Sequence, residues 1–367
     1  MSLLSPCKCS WHHLQTIKKH WLYCHSSTVG SISLTIVNLY SWLMLLVVTG
    51  LVHQMHVPIL LNVEVFMLPA FSMETMLRVI TEQKIKELLL VPPIVLLMVN
   101  DPITQKYDLS HLDNISSGAA PLSGEVLQQL QAKFPHIGFK QGYGMTESCS
   151  CITTHPHDKT SFEYATRAGA IVSKTEVKVV DIESGRELGY DEPGEILARG
   201  PQVVMGYLNN EKATRETFES DGWLHTGDVG YVDREHFITI TDRIKEMIKV
   251  KGIGISPAEL EDLLLGHPAI ADAAVTPIPE KYSGERPKAF VVINPDLQKT
   301  LDETKLAQLG EQILKYVQDK KVRHKWLAEV EFVHQVPKSA SGKILRRMLR
   351  DNANKGFIVR EPSRAKL

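Results

Sequence analysis

The chain has 367 residues, 43% of them hydrophobic and 23% charged, and its formal net charge is −1 at pH 7. Such a composition is typical of a globular protein that is long enough for two domains. The near-neutral charge gives no support for nucleic acid as a partner. The five cysteines are too few and too irregularly spaced for a disulfide scaffold, which favours a reducing compartment.

The first fifty residues differ in character from the rest of the chain. Residues 26–52 contain no charged side chain and are long enough to cross a bilayer. Several Ser, Thr and Asn residues interrupt this apolar stretch, however. We therefore expect no membrane partner, and interpret the stretch as a non-native segment or a core piece without its context.

From about residue 53, helices and strands alternate with short loops between them. A helix begins after Ser72, which is a suitable N-cap, and the buried strand ELLLV (87–91) follows it. Further helices are predicted over 93–101 and 122–135, and further strands over 112–120 and 137–141. This alternation predicts a layered α/β region with a largely parallel sheet.

The remaining chain contains two regions with other sequence patterns. Residues 166–241 predict a small β-rich module that contains a hairpin over 175–189. A last, α+β domain follows, whose first helix opens with a capping box of Ser256 and Glu259 and has Pro257 at its first position. The predicted fold class is thus α/β with a separate small C-terminal domain.

The stretch QGYGMTESCS (141–150) is the most informative for function. Its glycines let the backbone approach a ligand closely, and Tyr143 offers a flat face for stacking. Thr146 supplies a hydroxyl group, and Glu147 supplies a carboxylate suited to Mg²⁺. A tight structural turn would explain the same pattern equally well.

Two later stretches carry groups that suit a nucleotide. In DGWLHTGDVGYVD (221–233), Asp228 stands in a predicted loop where it could accept hydrogen bonds from a ribose diol; a simple β-turn aspartate is the alternative. TDRIKEMIKVKGIGISP (241–257) is a predicted cationic loop that ends in glycines, which would admit a phosphate. A solvated surface would explain its charges too. These cations are Arg243, Lys245, Lys249 and Lys251.

Near the C-terminus, PKSASGKILRR (337–347) presents Lys343 after a run of small residues. Together with SGAAPLS, GYGMTE, GEILARGPQVVMGY, GWLHTGD, DRIKEMIKVKG and GERPKAF, in this order, it closely resembles the adenylate-forming superfamily. Within that superfamily the chain is most similar to AMP-dependent acyl-CoA synthetases, 4-coumarate–CoA ligases and luciferases. The resemblance runs from about Thr49 to Arg350.

The resemblance implies an ATP-dependent carboxylate–CoA ligase that forms acyl-AMP and then acyl-CoA, with ATP, Mg²⁺ and coenzyme A as cofactors or substrates. It implies catalytic roles for Lys343, Lys249, Thr146 and Glu147, with Glu147 holding Mg²⁺, and a coenzyme A path at Lys251 and Gly252. The nucleotide contacts that it implies are Ala120, Gln141, Gly142, Tyr143, Thr146, Asp228, Arg243, Lys245 and Lys343. Lys343 and Lys249 would alternate at the site as the C-terminal domain rotates about a hinge near Asp242 and Lys245.

The chain departs from the family pattern at its start. HSSTVGSIS (25–33) lacks the Thr-Gly and Pro-Lys-Gly core of the family's phosphate loop, and the first α/β subdomain has no counterpart. We therefore expect a truncated chain, whose first fifty residues replace the true start. A non-catalytic remnant that binds nucleotide or coenzyme A is the alternative. The expected division is 1–50, an atypical segment; 51–241, a partial AMP-binding domain with its β-rich part at 166–241; 242–360, a mobile C-terminal domain; and 361–367, a tail.

The chain ends in Ala365-Lys366-Leu367, which resembles the Ser-Lys-Leu peroxisomal address. This ending predicts a peroxisomal location and an import receptor as a partner, with the cytoplasm as the alternative. The sequence leaves open which carboxylic acid is the substrate.

Overall fold

The computed structural model describes residues 33–36, 52–53, 56–68, 71–118, 122, 124–298, 301–339, 343–353 and 355–361. Two compact units share the chain: residues 1–88 with 107–113, and residues 89–106 with 114–367. Within the described ranges, no helix has the length and apolar character needed to span a membrane. Most of the apolar stretch 26–52 lies outside these ranges.

Among its described residues, the first unit contains a parallel strand pair and two helices. Strand β1 (Ser33–Ile36) pairs with β2 (Glu64–Met67), and helix α1 (Val57–Leu61) precedes β2. The Ser72 hydroxyl accepts the Thr75 N–H at 3.1 Å and so caps helix α2 (Met73–Glu82), as predicted. Strand β3 (Glu87–Leu90) begins in this unit and ends in the second.

The second unit begins with the predicted α/β pattern. Its elements are helix α3 (Pro92–Asn100), strand β4 (Asn114–Ser117), helix α4 (Gly124–Lys133) and strand β5 (Gly138–Tyr143). Strands β4 and β5 are parallel, which confirms that part of the prediction. Two short strands, β6 (Thr153–Thr154) and β7 (Ala170–Ile171), continue from β5 in antiparallel pairing. The C-terminal end of β5 thus opens onto a tight loop that leads to β6.

An antiparallel sheet forms the β-rich module. Its strands are β8 (Glu176–Val180), β9 (Gly194–Arg199), β10 (Leu224–Val232) and β11 (Ile238–Arg243), in the spatial order β11-β10-β9-β8, with helix α5 (Glu211–Thr217) before β10. The hairpin predicted over 175–189 forms, but it is short. In its second arm, Glu187 forms a single bridge with Val180. Strand β8 pairs along its whole length with β9 instead.

The C-terminal part forms a sheet covered by helices. Its elements are β12 (Ile248–Val250), β13 (Ile253–Ile255), α6 (Pro257–Leu265), β14 (Ile270–Glu280), β15 (Gly284–Ile293), α7 (Pro295–Gln298), α8 (Glu303–Lys320), β16 (Glu329–Phe332), α9 (Arg346–Asp351) and β17 (Phe357–Arg360). The strand order is β13-β12-β15-β16-β17, and β14 pairs with β15. Apolar side chains of α6 and α8 pack against this sheet and form its core.

Three local predictions need correction. Residues 241–257 are not a loop, because Ile248, Val250 and Ile255 alternate into the core and form the hairpin β12–β13. Asp228 lies within strand β10 rather than in a loop. The capping box is half formed: the Ser256 hydroxyl accepts the Glu259 N–H, while the Glu259 carboxylate binds two lysines of the chain instead.

Candidate nucleotide-binding site

A buried carboxylate is the centre of the candidate site. The Asp228 side chain accepts the Tyr143 hydroxyl at Oδ2 over 2.7 Å, and the Arg243 Nε atom at Oδ1 over 3.0 Å. Asp228 is 5% exposed, whereas the side chain of Arg243 is 52% exposed. Strands β5, β10 and β11 each contribute one of these three residues. The structure therefore unites three of the predicted nucleotide contacts.

A bulge in β10 directs Asp228 to this position. The pairing of β10 with β9 shifts register between His225 and Val229, so that residues 226–228 have no pairing partners on β9. Side chains compensate, since the Thr226 hydroxyl donates to the Ile196 carbonyl at 2.6 Å and accepts the Asp228 N–H at 3.1 Å. Gly227 has a φ of 70°, which glycine adopts without strain.

The electrostatics of Asp228 reflect burial against two cations. Burial raises the pKa of Asp228, while the Tyr143 hydrogen bond and the charges of Arg243 and Lys343 act in the opposite direction. Burial, followed by the neighbouring Asp228 charge, raises the pKa of the Tyr143 phenol, so Tyr143 remains a donor at neutral pH. Lys343 is therefore close enough for its charge to act on Asp228.

The turn after β5 depends on one glycine. A Cβ atom on Gly144 would stand 1.8 Å from the Ser150 carbonyl oxygen, so no side chain fits there. The Ser150 N–H donates to the Met145 carbonyl at 3.0 Å, and the Ile152 N–H donates to the Tyr143 carbonyl at 2.8 Å. Close packing within the turn therefore explains why position 144 is a glycine. This agrees with the alternative interpretation of residues 141–150 as a tight structural turn.

Glu147 has a partner that sequence reasoning missed. The Tyr207 hydroxyl donates to Glu147 Oε1 at 2.7 Å across 60 positions of the chain. Tyr207 belongs to the stretch GEILARGPQVVMGY, but nothing in that stretch predicts the contact. A half-buried carboxylate fits Mg²⁺, which prefers oxygen ligands and usually keeps several waters and substrate phosphates. Among the described residues, no three His, Cys, Asp or Glu side chains cluster as a metal site.

Three other predicted nucleotide contacts on β5 and its turn differ in exposure. The buried Gln141 amide donates to the Ala165 carbonyl, which holds that side chain against the backbone. Gly142 and Thr146 are exposed, and Thr146 begins the 3₁₀ helix Thr146–Ser148. Ala120 lies outside the described residues.

Lys343 is held at the end of a short loop. Its backbone N–H donates to the Ser339 hydroxyl at 3.1 Å, and its carbonyl accepts the Ser339 N–H at 2.9 Å. The side chain of Lys343 is exposed. Three residues later, Arg346 is anchored to Glu246 and, through both carboxylate oxygens, to Glu261. The backbone around Lys343 is therefore fixed while its ammonium group remains available.

The other predicted cations lie on the hairpin region. Lys245 belongs to the 3₁₀ helix Ile244–Glu246, and Lys249 lies in β12, where its backbone N–H donates to Glu285 at 2.8 Å. Lys251 and Gly252 form the two-residue turn between β12 and β13, with φ values of 53° and 82°. Within the part of the chain that the structure describes, none of these groups makes an ion pair with the Asp228 cluster.

The chain is similar to known proteins over most of its length. The family model of AMP-binding enzymes matches residues 20–208, and that of the AMP-binding enzyme C-terminal domain matches residues 259–343. The first match begins before Thr49, where the motif resemblance starts.

Two curated relatives and one solved structure illustrate this similarity. 4-Coumarate–CoA ligase 2 of Oryza sativa subsp. japonica is 44% identical over 78% of this chain and 49% of its own length. 4-Coumarate–CoA ligase 1 of Glycine max is 42% identical over 78% of this chain and 96% of its own length. O-Succinylbenzoate CoA synthetase (MenE) of Bacillus subtilis, in complex with the acyl-adenylate intermediate, is 26% identical, with a TM-score of 0.72 over 93% of this chain and 65% of that one.

The chain spans about half the length of the first curated relatives that it matches. Tyr143 and Lys343 lie within the two matched ranges, and Asp228 lies between them. On this evidence, the chain belongs to the family of AMP-binding, adenylate-forming enzymes.

Proposed function

We propose that this chain is a carboxylate–CoA ligase of the 4-coumarate–CoA ligase type. The observation that carries the proposal is the cluster of Tyr143, Asp228 and Arg243 within electrostatic reach of Lys343. Such a cluster offers acceptors for a ribose diol and a cation for an adjacent phosphate. The names of the curated relatives and the acyl-adenylate held by the Bacillus subtilis neighbour support the same chemistry.

In the first half-reaction, a carboxylate oxygen of the acid forms a bond to the α-phosphorus of ATP, and the bond to pyrophosphate breaks. Asp228 would accept hydrogen bonds from the ribose hydroxyls, assisted by Arg243, while Tyr143 and Gln141 line the adenine side. Lys343 would stabilise the negative charge that develops around the phosphorus. Thr146 would contact a phosphate, and Glu147 would hold Mg²⁺, which neutralises phosphate charge when bound.

In the second half-reaction, the sulfur of coenzyme A attacks the acyl carbonyl and AMP leaves with its phosphate oxygen. We assign Lys249 to this step, and Lys251 with Gly252 to the coenzyme A path. Their exposure on the β12–β13 hairpin supports this assignment, because it leaves them accessible to a second substrate. A rotation of the C-terminal domain near Asp242 and Lys245 would exchange Lys343 for Lys249.

A nucleotide-binding remnant without catalysis is the second candidate. The observation that favours it is the missing Pro-Lys-Gly core in residues 25–33, which lie almost wholly outside the described residues. Purified chain should be assayed for ATP–pyrophosphate exchange with a panel of aromatic and aliphatic acids, and for AMP binding by calorimetry. Exchange with any acid supports the ligase. AMP binding without exchange supports the remnant, and the absence of both contradicts the two proposals together.

For location, we propose import into peroxisomes through Ala365-Lys366-Leu367. The support is the C-terminal tripeptide alone. A fluorescent protein fused to the N-terminus should collect in peroxisomes, and deletion of the last three residues should return it to the cytoplasm. Cytoplasmic fluorescence with the tripeptide intact would contradict the proposal.

A further inference from the structure

We propose that His225 is a positioning residue that holds Asp228 in place for the ribose through Glu195. The inference rests on the proposed function, because it assumes that Asp228 binds the ribose diol. It goes beyond that function by adding a group that touches neither nucleotide nor reacting atoms. The observation behind it is that a histidine near the site has a carboxylate at each of its ring nitrogens.

The His225 ring lies between two glutamates. Its Nδ1 atom is 3.1 Å from Glu195 Oε2, and its Nε2 atom is 3.0 Å from Glu219 Oε1. A neutral imidazole donates from only one nitrogen, whereas the protonated ring donates from both. Carboxylates accept and do not donate, so this arrangement is satisfied in full only by the imidazolium form.

Glu195 carries the effect of His225 to the site. Its other oxygen, Oε1, accepts the Gly227 N–H at 3.2 Å. Gly227 is the residue before Asp228, and it lies in the bulge, where the backbone of β10 has no pairing partners on β9. Since one Glu195 oxygen faces His225 and the other holds Gly227, the contact with the ring keeps Glu195 in position to hold the bulge.

Charged groups surround the His225 ring. Glu195 on β9 and Glu219 before β10 face the ring directly, and Lys178 on β8 approaches the far oxygen of Glu219 at 3.5 Å. The ring is therefore held between two carboxylates, and Lys178 contacts one of them.

The test compares AMP with 2′-deoxy-AMP, which lacks one of the hydroxyls that Asp228 would bind. Affinities of the purified full chain are measured by calorimetry at neutral pH. The ratio of the two affinities cancels effects that both nucleotides share. The variants are His225→Gln, which carries no charge, and His225→Arg, which keeps a permanent planar donor. His157→Gln is the matched control, since His157 is exposed and lies outside the cluster.

We expect the wild-type chain and His225→Arg to prefer AMP to a similar degree, and His225→Gln to show a preference about fivefold lower. His157→Gln should match the wild-type chain. Circular dichroism verifies that each variant is folded. A purely structural role would lower both affinities equally and leave the ratio unchanged.

Two failures are distinguishable. If the wild-type chain prefers AMP over the deoxy form and His225→Gln keeps that preference, the inference is wrong and the proposed function is untouched. If the wild-type chain binds neither nucleotide, the proposed function itself is contradicted, and the role of His225 is overturned with it.

Discussion

Tyr143 donates its hydroxyl group to Asp228 at 2.7 Å, and this hydrogen bond joins residues that are 85 positions apart. Tyr143 lies at the end of a strand in the α/β region, and Asp228 lies in a bulge of the β-rich module. The bond therefore ties the proposed adenine side of the site to the proposed ribose side. Each residue orients the other before any nucleotide arrives, which reduces the ordering that binding requires.

Replacing Tyr143 with phenylalanine should weaken AMP binding about tenfold. The change removes a hydrogen bond to a buried charged group, and such bonds contribute about 1.5–3 kcal/mol. Calorimetry with AMP checks this expectation. Tyr164→Phe is the matched control, because the Tyr164 hydroxyl bonds Lys159 outside the site. Equal affinities for Tyr143→Phe and the wild-type chain would show that the bond does not organise the site.

Acidification should release AMP at a higher pH than an ordinary carboxyl group would allow. Burial is the largest influence on Asp228, and it raises the pKa of that group. A raised pKa means that Asp228 gains its proton earlier as the pH falls, and the protonated group can no longer accept from both ribose hydroxyls. The measurement is AMP affinity against pH for the wild-type chain and Asp228→Asn. The variant should bind weakly throughout, and a matching acid limb in the variant would rule out Asp228 as the cause.

Lys343→Met should slow acyl-adenylate formation by about 10²–10³-fold, because one preorganised charge contact to the transition state is lost. ATP–pyrophosphate exchange measures this step directly, provided that the wild-type chain is active. Arg347→Met is the control, since Arg347 is 88% exposed and pairs only loosely with Asp351 at 3.8 Å. An exchange rate for Lys343→Met within a factor of about two of the control, far below the loss expected for such a contact, would remove Lys343 from the proposed mechanism.

Arg346→Met should destabilise the chain by about 3–5 kcal/mol, because it leaves the buried Glu261 carboxylate without its bidentate partner. Urea unfolding at neutral pH measures the loss. Arg350→Met, on the same helix and exposed, should cost little. The double variant Arg346→Met with Glu261→Met should recover part of the loss, since the unpaired charge is then gone. A double variant no more stable than Arg346→Met would show that the unpaired charge is not the cause.

Local signals in the sequence predicted much of the fold. Ser72 caps its helix and Pro257 begins another, because capping and proline geometry depend on neighbours within one turn. The Glu259 carboxylate shows the limit of such reasoning. A capping box predicts that it turns back to its own helix, yet it binds Lys321 and Lys325, which are 62 and 66 positions away. Ion pairs with residues that are distant in sequence thus replace the hydrogen bond that Glu259 would make to the start of its own helix.

The sequence indicated which residues belong to the candidate site, but it did not indicate the contacts among them. The motifs identified Tyr143, Asp228, Arg243 and Lys343, and the structure brings the first three of them into contact. Asp228 was expected in a loop because glycines flank it, whereas those glycines permit a bulge inside a strand. No local pattern could reveal the Tyr207–Glu147 bond, since it depends on how the module packs against the turn after β5.

The turn closed by Gly144 has a consequence for engineering. The Ser150 carbonyl occupies the position where a side chain on Gly144 would stand, and the Ser150 N–H bonds the Met145 carbonyl. Residues 145–150 therefore form a tightly packed turn in which a change at one residue affects the others. Thr146 and Glu147 lie on the same turn as Cys149 and Ser150. Substitutions at 149 or 150 would therefore also shift the groups that we assign to phosphate and magnesium. Libraries at these positions should be screened for magnesium dependence as well as for substrate choice.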